Sequence, residues 1–265
     1  MRRADGFHQL QSLAVFTAVG DVLHAEASPR LSLALDGSFA AGLQAESDNL
    51  VLRAARALAA EAGTLAGAAL TLTKNLPVAS GIGGGSADAA AALRALKRLW
   101  QVEIDDAALL EIAAVLGSDV PVCVASASTW MEGRGEILTP APMPPLPILL
   151  VNPGVAVPTR DVFAALETRS GSGLALPRDF ADTAALLAFL ETTCNDLEAP
   201  ARRLQPVIGD VLDALAALPG VRLARMSGSG ATCFALFDDE AVCVQGANVI
   251  KAAHPGWWVA SSGTR

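Results

Sequence analysis

The sequence predicts a two-domain protein of the α+β class. Predicted strands and helices follow one another without the strict alternation of a doubly wound sheet, which favours an α+β arrangement. Five prolines between residues 140 and 147 interrupt regular structure and predict a boundary there, between domains of residues 1–145 and 146–265. At 265 residues, the chain is long enough to bury a core in each domain.

The elements of the first domain are predicted from apolar alternation in strands and from capping residues at helix ends. Asp48 and Asn49 open one helix, and Asp105 and Asp106 open another that stops at Gly117. In order, the predicted elements are strands 12–19 and 31–35, a helix from 49 to about 63, a strand over 68–73, helices 86–100 and 105–117, and hairpin-like segments to about 138.

The second domain is predicted on the same grounds and shows no internal repeat. Its predicted elements are a strand over 148–152, a helix over 159–167, a Gly/Ser loop over 170–174, two helices, strands 221–226 and 231–237 around a glycine turn, a helix and a final strand.

Composition and charge exclude several function classes. Although 52% of the residues are apolar, no stretch approaches the roughly 18 uninterrupted apolar residues of a membrane helix, and no signal-peptide pattern opens the sequence. The net charge of −8 argues against nucleic-acid binding, but not against a nucleotide that backbone N–H groups and Mg²⁺ can hold. Cys123, Cys194, Cys233 and Cys243 lie far apart in predicted core segments, which favours reduced thiols and a cytoplasmic protein.

The most informative segment runs from Pro77 to Leu93, where four glycines within five positions lead into an alanine-rich helix. Glycine lets the backbone approach a ligand closely, and a helix N-terminus adds unpaired N–H groups and a partial positive charge. Ser86 is the predicted N-cap, and Asp88 is the predicted acidic residue of the first turn. Together these features predict a cradle for the phosphates of a nucleotide.

Three better-known glycine loops do not fit this segment. The P-loop requires a Gly-Lys pair, which the chain lacks, and a dinucleotide fingerprint would need glycine where Ser86 stands. The protein-kinase motifs His-Arg-Asp and Asp-Phe-Gly are also absent from the sequence. A phosphate-binding loop of another class is the better hypothesis, and a flexible turn that caps an ordinary helix is the alternative.

The segment resembles the second motif of the GHMP kinases, the galactose, homoserine, mevalonate and phosphomevalonate kinases and their relatives. Residues 226–237, Met-Ser-Gly-Ser-Gly-Ala-Thr-Cys-Phe-Ala-Leu-Phe, resemble the third motif of that family, and residues 116–122 resemble the segment with its catalytic aspartate. The resemblance extends from about residue 2 to the end of the chain. It implies a ribosomal-protein-like N-terminal domain, a ferredoxin-like C-terminal domain, an active site between them, and ATP with Mg²⁺.

On the donor side, the resemblance implies that Asn49 and Lys74 lie near the adenine and that Ser86 offers its hydroxyl to a phosphate or to Mg²⁺. The alternatives are a helix cap for Asn49, a solvated lysine, and a plain N-cap for Ser86. The predicted ATP-binding residues of the glycine segment are Pro77, Val78, Ala79, Ser80, Gly81, Ile82, Gly83, Gly84, Gly85, Ser86 and Ala87. The predicted second glycine turn comprises Ser227, Gly228, Ser229 and Gly230.

Asp119 is the candidate catalytic base. It follows a helix end at Gly117 and precedes an apolar segment, Val120–Val124, that is predicted to be a strand. At such a place a carboxylate is partly buried; burial raises its pKa, whereas a nearby cation lowers it. A turn aspartate that bonds its own backbone is the alternative, and the resemblance favours the base.

The acceptor side depends on residues 3–10, Arg-Ala-Asp-Gly-Phe-His-Gln-Leu, and on Phe163. The first segment resembles the signature of one family member, whose alcohol substrate carries cytidine diphosphate in non-mevalonate isoprenoid synthesis. Because the chain contains no tyrosine, stacking on a pyrimidine falls to phenylalanines. The resemblance implies that Phe7 and Phe163 stack on the cytosine, that His8 bonds its edge, and that Thr159 contacts the substrate. The alternative is two core phenylalanines and a surface histidine.

The chain departs from the family pattern at its start, where a strand with Ala-Lys-x-Asn-Leu ordinarily comes first. The lysine of that strand lies beside the catalytic aspartate in the family, and none of Lys74, Lys97 and Lys251 aligns as a substitute. Three hypotheses stay open: a kinase for the cytidyl-linked alcohol, a kinase for homoserine, mevalonate or a sugar, and a nucleotide-binding relative without turnover. The expected partner is a small molecule, not a nucleic acid or a membrane, and monomer or homodimer stays open.

Overall fold

The computed structural model of the chain describes residues 10–43, 48–167 and 175–265. They divide into two compact units: one of residues up to 14, 20–78 and 83–140, and one of residues 15–19, 79–82 and 141–265. The units are therefore not two continuous stretches of chain, because two short early segments belong to the second unit. The predicted domain bounds of 1–145 and 146–265 stay a prediction.

In the first unit, the described residues form two three-stranded sheets, of order β1-β5-β6 and β2-β4-β3, and four α-helices. Strand β2 is antiparallel to β4, and β3 is parallel to it. The strands are β1 (Leu10–Ala14), β2 (Val22–Ser28), β3 (Ser32–Asp36), β4 (Gly67–Thr73), β5 (Thr129–Gly133) and β6 (Ile137–Pro140). The helices are α1 (Leu50–Glu61), α2 (Gly84–Leu99), α3 (Asp106–Leu116) and α4 (Val120–Ala125), and a 3-10 turn spans Ala40–Gly42.

Helices α1 and α2 bury small and apolar side chains at helical spacing, because residues three and four apart share one face. Asn49 caps α1 by accepting a hydrogen bond from the Val51 N–H at 2.9 Å, as the sequence predicts. Asp105 caps α3 in the same way through the Ala108 N–H at 2.8 Å. The buried residues of α1 and α2 are Val51, Ala54, Ala55, Leu58, Asp88, Ala89, Ala90, Ala92, Leu93 and Leu96.

In the second unit, the described residues form one antiparallel sheet of order β10-β7-β9-β8 with helices on both faces. Alternation along β7 puts Leu149 and Val151 in the larger core, with Phe237, and Ile148 and Leu150 in the smaller one. The strands are β7 (Pro147–Asn152), β8 (Val221–Met226), β9 (Cys233–Phe237) and β10 (Trp258–Gly263). The helices are α5 (Thr159–Ala164), α6 (Thr183–Glu191), α7 (Glu198–Leu204), α8 (Val207–Ala216) and α9 (Glu240–Ala253).

Several predicted elements are wrong in type or extent. The predicted strand 12–19 ends at Ala14, and three helices, α6, α7 and α8, replace the two predicted before β8. Residues 120–124 belong to helix α4 and not to a strand, because Pro121 stands in the first turn, where a missing N–H costs nothing. Strand β2 is missing from the prediction, because Ala25, Glu26 and Ala27 are weak strand formers that the pairing with β4 overrides. The predicted Gly/Ser loop 170–174 lies outside the described residues.

The cysteines are free thiols, three buried (Cys123, Cys233 and Cys243) and one exposed. The exposed one is Cys194, so the prediction that it lies in a core segment is wrong. Within the described ranges, no helix combines the length and the apolar character that crossing a bilayer requires.

Candidate active site

The glycine segment enters helix α2 earlier than predicted. The helix begins at Gly84, and its N-cap is Gly83, which has a left-handed backbone with φ of 69°. Glycine adopts this conformation without the steric cost of a Cβ, so the turn closes into the helix before Ser86 is reached. Ser86 is therefore the third helical residue and not the N-cap, and Asp88 lies buried in the second turn, not in the first.

The start of α2 presents a row of unpaired backbone donors. The N–H groups of Gly83, Gly84, Gly85 and Ser86 have no hydrogen-bond acceptor among the described residues. The first N–H groups of any helix lack an intrahelical acceptor, and no side chain caps them here. The Ser86 hydroxyl also makes no hydrogen bond within the described part of the chain. Free N–H groups together with the helix dipole suit an anion such as a phosphate.

The glycines at this helix start face different surroundings. A Cβ on Gly83 or Gly85 would meet no atom within 4 Å. A Cβ on Gly84 would lie 3.5 Å from Leu76 Cδ1 and 3.7 Å from Asp21 Oδ2. The start of α2 is therefore open on the side of Gly83 and Gly85 and packed on the side of Gly84.

In the second unit, residues 79–82 pack against the second glycine turn. Ser227 Oγ donates to the Gly81 carbonyl oxygen at 3.0 Å, and the Thr232 N–H donates to the Ser80 carbonyl oxygen at 3.0 Å. A Cβ on Gly81, whose φ is 77°, would lie 2.5 Å from the Gly230 carbonyl oxygen. Glycine is therefore required at residue 81 by direct backbone contact within this unit.

Asn195 holds the second glycine turn, and the sequence does not single it out. Its Nδ2 donates to the carbonyl oxygens of Met226, at 2.9 Å, and Gly228, at 2.8 Å. Its Oδ1 accepts from the Leu197 N–H at 3.0 Å, which fixes the side chain at both ends. No local pattern reveals this role, because the partners lie more than 30 positions away along the chain.

Of the predicted acceptor residues, Thr159 and Phe163 are within the described residues, and Phe7 and His8 are not. Thr159 is the first residue of α5, and its Oγ1 lies 2.9 Å from Ser229 Oγ in the second glycine turn. Phe163 is half-buried on the same face of α5, because it follows Thr159 by four residues. Thr159 therefore contacts the second glycine turn, and Phe163 lies on the same helix of this unit.

Asp119 occupies the N-cap position of α4 but makes no capping hydrogen bond with its side chain. The alternative of a turn aspartate that bonds its own backbone is therefore wrong. Asp119 is exposed as a residue. The protein atoms around its carboxylate nevertheless take away part of the hydration of that group, and this loss raises the pKa of Asp119. Within the described residues, no cation offsets this rise. One turn later, burial raises the pKa of the Cys123 thiol to about 12, which keeps that thiol protonated.

Lys74 is buried, so the alternative of a solvated lysine is wrong. It follows β4, and its Nζ donates to Asp88 Oδ2 at 2.8 Å and to Asp21 Oδ2. Burial outweighs the attraction of Lys74 and raises the pKa of Asp88 to about 6. The structure thus reveals two carboxylates with a role that the sequence does not predict. Positions near the adenine stay a prediction for both Lys74 and Asn49.

The described residues contain no group of three or more His, Cys, Asp or Glu side chains placed to hold a metal ion. Ser86 is the predicted residue for such an ion, and its free hydroxyl fits that role.

The chain matches two family models: the N-terminal domain of the GHMP kinases over residues 49–127, and their C-terminal domain over residues 170–251. Similar solved structures include a 4-(cytidine 5'-diphospho)-2C-methyl-D-erythritol kinase, with a TM-score of 0.82, 32% identity, and coverage of 99% of this chain and 92% of that one. A homoserine kinase from Cytophaga hutchinsonii shares the fold, with a TM-score of 0.70, 20% identity, and coverage of 94% and 87%. The chain belongs to the GHMP kinases, and the predicted α+β class and two-domain architecture are confirmed.

Within that family, the chain is similar to proteins of one name. It is 52% identical over 263 residues to the 4-diphosphocytidyl-2-C-methyl-D-erythritol kinase of Rhodospirillum rubrum, covering 98% of this chain and 86% of the relative. It is 55% identical over 265 residues to the protein of the same name from Cereibacter sphaeroides, covering 98% and 91%.

Proposed function

We propose that this chain transfers the γ-phosphate of ATP to the 2-hydroxyl of 4-diphosphocytidyl-2-C-methyl-D-erythritol, a step of non-mevalonate isoprenoid precursor synthesis. The observation that carries the kinase chemistry is the row of unpaired N–H groups from Gly83 to Ser86 at the start of α2. The acceptor is proposed from relatives that are about half identical over nearly the full chain and bear that substrate in their names.

In this reaction the acceptor oxygen bonds to the γ-phosphorus, the bond from that phosphorus to the β–γ bridging oxygen breaks, and ADP leaves. The N–H groups of residues 83–86 hold phosphate oxygens and stabilise charge as it moves toward the leaving group. Asp119 takes the proton of the acceptor hydroxyl, so it must start ionised, and its raised pKa makes it a stronger base than an ordinary aspartate. Mg²⁺, when bound with ATP, supplies neutralisation of the phosphate charge, and the Ser86 hydroxyl is proposed to contact it.

On the acceptor side, Phe163 is proposed to stack on the cytosine and Thr159 to contact the substrate, together with Phe7 and His8. The hydrogen bond between Thr159 and Ser229 supports this grouping, because it fixes the start of α5 against a functional turn of the same unit. The buried free thiols support the cytoplasm as the compartment. The state of association, monomer or homodimer, stays a prediction.

Other GHMP acceptors are not favoured by the relatives. Homoserine and mevalonate carry no base, so an aromatic pocket would have nothing to stack on. The likeness to homoserine kinase and mevalonate kinase structures, at 20% and 16% identity, shows the fold alone.

Calorimetry of Phe163→Ala tests the acceptor side. Aromatic stacking contributes roughly 1–3 kcal/mol per base, so CDP binding should weaken by about one to two orders of magnitude. ADP binding should stay unchanged. Phe189→Ala is the matched control, since Phe189 is also half-buried on a helix of the second unit, but its ring contacts that of Phe180, which packs against the smaller core. CDP binding equal to that of the parent chain, or loss of ADP binding instead, would contradict the proposed pocket.

A further inference from the structure

In the first unit, three buried charged side chains connect the residues just before and just after the glycine loop, residues 77–87. Lys74 follows β4, three residues before Pro77, and Asp88 lies in α2, directly after Ala87. The Lys74 ammonium donates to Asp88 at 2.8 Å and also to Asp21. Lys74 and Asp88 are 14 positions apart along the chain, and the glycine loop lies between them. The ion pair therefore holds the two ends of the loop together.

Asp21 extends the contact to the loop backbone. Its Oδ1 accepts from the N–H groups of Asn75 at 2.6 Å and Leu76 at 2.9 Å. Its Oδ2 lies 3.7 Å from where a Cβ of Gly84 would stand, so the carboxylate also packs on the first helical residue. One side chain therefore touches both the entry to the loop and the start of the phosphate-binding helix.

Burying these three charges costs free energy of desolvation, so they are a poor means of stabilising a fold. The side chains of Lys74 and Asp21 are 3% exposed and that of Asp88 is 7% exposed, so each has lost most of its hydration. Two carboxylates face one ammonium, which leaves one negative charge in excess. Replacing buried ion pairs with apolar residues of similar volume is often neutral or stabilising. What such a triad does supply is fixed geometry, because each hydrogen bond has a direction and a length.

We propose that Lys74, Asp21 and Asp88 form a clasp that holds the start of α2 in the geometry that binds nucleotide phosphates. In the clasp the three act as positioning residues, through the backbone that they hold. The clasp sets the orientation of the N–H groups of residues 83–86, since both Asp88 and the contact with Gly84 lie on α2. The inference rests on the proposed use of this loop for ATP, and it holds whichever alcohol is the acceptor.

Asp88→Asn tests the clasp through nucleotide binding, without any need for turnover. The substitution keeps the shape and an acceptor for Lys74 but removes the charge that makes this hydrogen bond strong. We expect the dissociation constant of Mg·ADP, measured by calorimetry, to rise about tenfold or more. The melting temperature should stay the same or rise, because the excess buried charge is gone, and CDP affinity should be unchanged. Asp106→Asn is the matched control, since it breaks the exposed ion pair with Lys97 in the same unit.

The separation of nucleotide affinity from stability distinguishes a clasp from an ordinary core contact. Unchanged ADP affinity in folded Asp88→Asn would overturn the proposal, as would a parallel fall of melting temperature, ADP affinity and CDP affinity. Should Asp88→Asn not fold, Asp21→Asn offers the same test, because its amide oxygen can still accept from the loop N–H groups. If neither variant folds, the triad is a folding element and the proposal is wrong. Absence of phosphorylation of the cytidyl alcohol would refute the proposed acceptor and leave the clasp intact.

Discussion

Asp119 and Lys74 are two charged side chains in opposite surroundings. Asp119 stands open at the start of α4 with no capping bond, and its surroundings raise its pKa. Lys74 is enclosed between two carboxylates. A group that must exchange a proton with substrate needs access, whereas a group that fixes a backbone needs partners on every side. The role proposed for Asp119 rests on the resemblance of its motif, whereas the surroundings of Lys74 could not be predicted from the sequence.

Asp119→Asn should abolish the base while leaving both substrates bound. We expect kcat to fall by roughly 10²-fold or more, the usual effect of removing a general base. In the parent chain, the carboxylate must be ionised to accept a proton, so the rate should fall as the pH drops through its pKa. Because that pKa is raised above 3.8, the acid limb should lie above the ordinary aspartate range.

The check is a pH profile of kcat for the parent chain and for Asp119→Asn, with nucleotide and CDP affinities measured in parallel. The acid limb should be missing from the residual activity of the variant. A variant with near-parent turnover, or with the same acid limb, would show that Asp119 is not the base.

The limits of local prediction are visible in individual helices and strands. The caps at Asn49 and Asp105 were predictable, since a capping side chain bonds an N–H two or three residues away. The start of α2 was not, because Gly83 takes a left-handed conformation that no side chain reveals. The sequence did not predict strand β2, and so it did not predict the position of Asp21, which directly precedes that strand. The antiparallel register of β2 and β4 pairs Val22 with Thr73, which sets Asp21 beside Lys74, 53 positions along the chain.

The open side of the α2 start yields a prediction that separates ligand binding from folding. In Gly85→Ala the new methyl would meet no protein atom within 4 Å, and alanine is the better helix former, by up to about 1 kcal/mol. Unfolding stability should therefore stay the same or rise. The methyl would stand where a phosphate approaches, so the loss of a charge-assisted hydrogen bond should weaken ADP binding by about tenfold or more.

Thermal unfolding and ADP calorimetry check this prediction together. Gly256→Ala is the matched control, because Gly256 is exposed and a Cβ there would also meet nothing within 4 Å. Equal ADP affinity for Gly85→Ala and the parent chain would mean that the row of N–H groups is only the cap of a helix.

The molecule as a whole combines predictable motifs with an unpredictable path of the chain. The glycine, aspartate and second glycine motifs predicted the family, and the mixture of strands and helices predicted the fold class; the family matches confirm both. The sequence did not predict that segments 15–19 and 79–82 belong to the unit built from the later half of the chain. That assignment depends on long-range contacts, such as Thr232 with Ser80 and Ser227 with Gly81, which leave no local pattern.

The activity proposed for this chain is phosphorylation of a cytidyl-linked alcohol. The direct measurement is phosphorus NMR of the products after the chain is incubated with Mg·ATP and 4-diphosphocytidyl-2-C-methyl-D-erythritol, with homoserine, mevalonate and galactose in parallel reactions and Asp119→Asn as the blank. A new phosphomonoester on the 2-hydroxyl, formed in step with ADP and only with the cytidyl alcohol, is the predicted result. Phosphorylation of another acceptor in its place, or nucleotide binding with no turnover of any acceptor, would contradict the proposed activity.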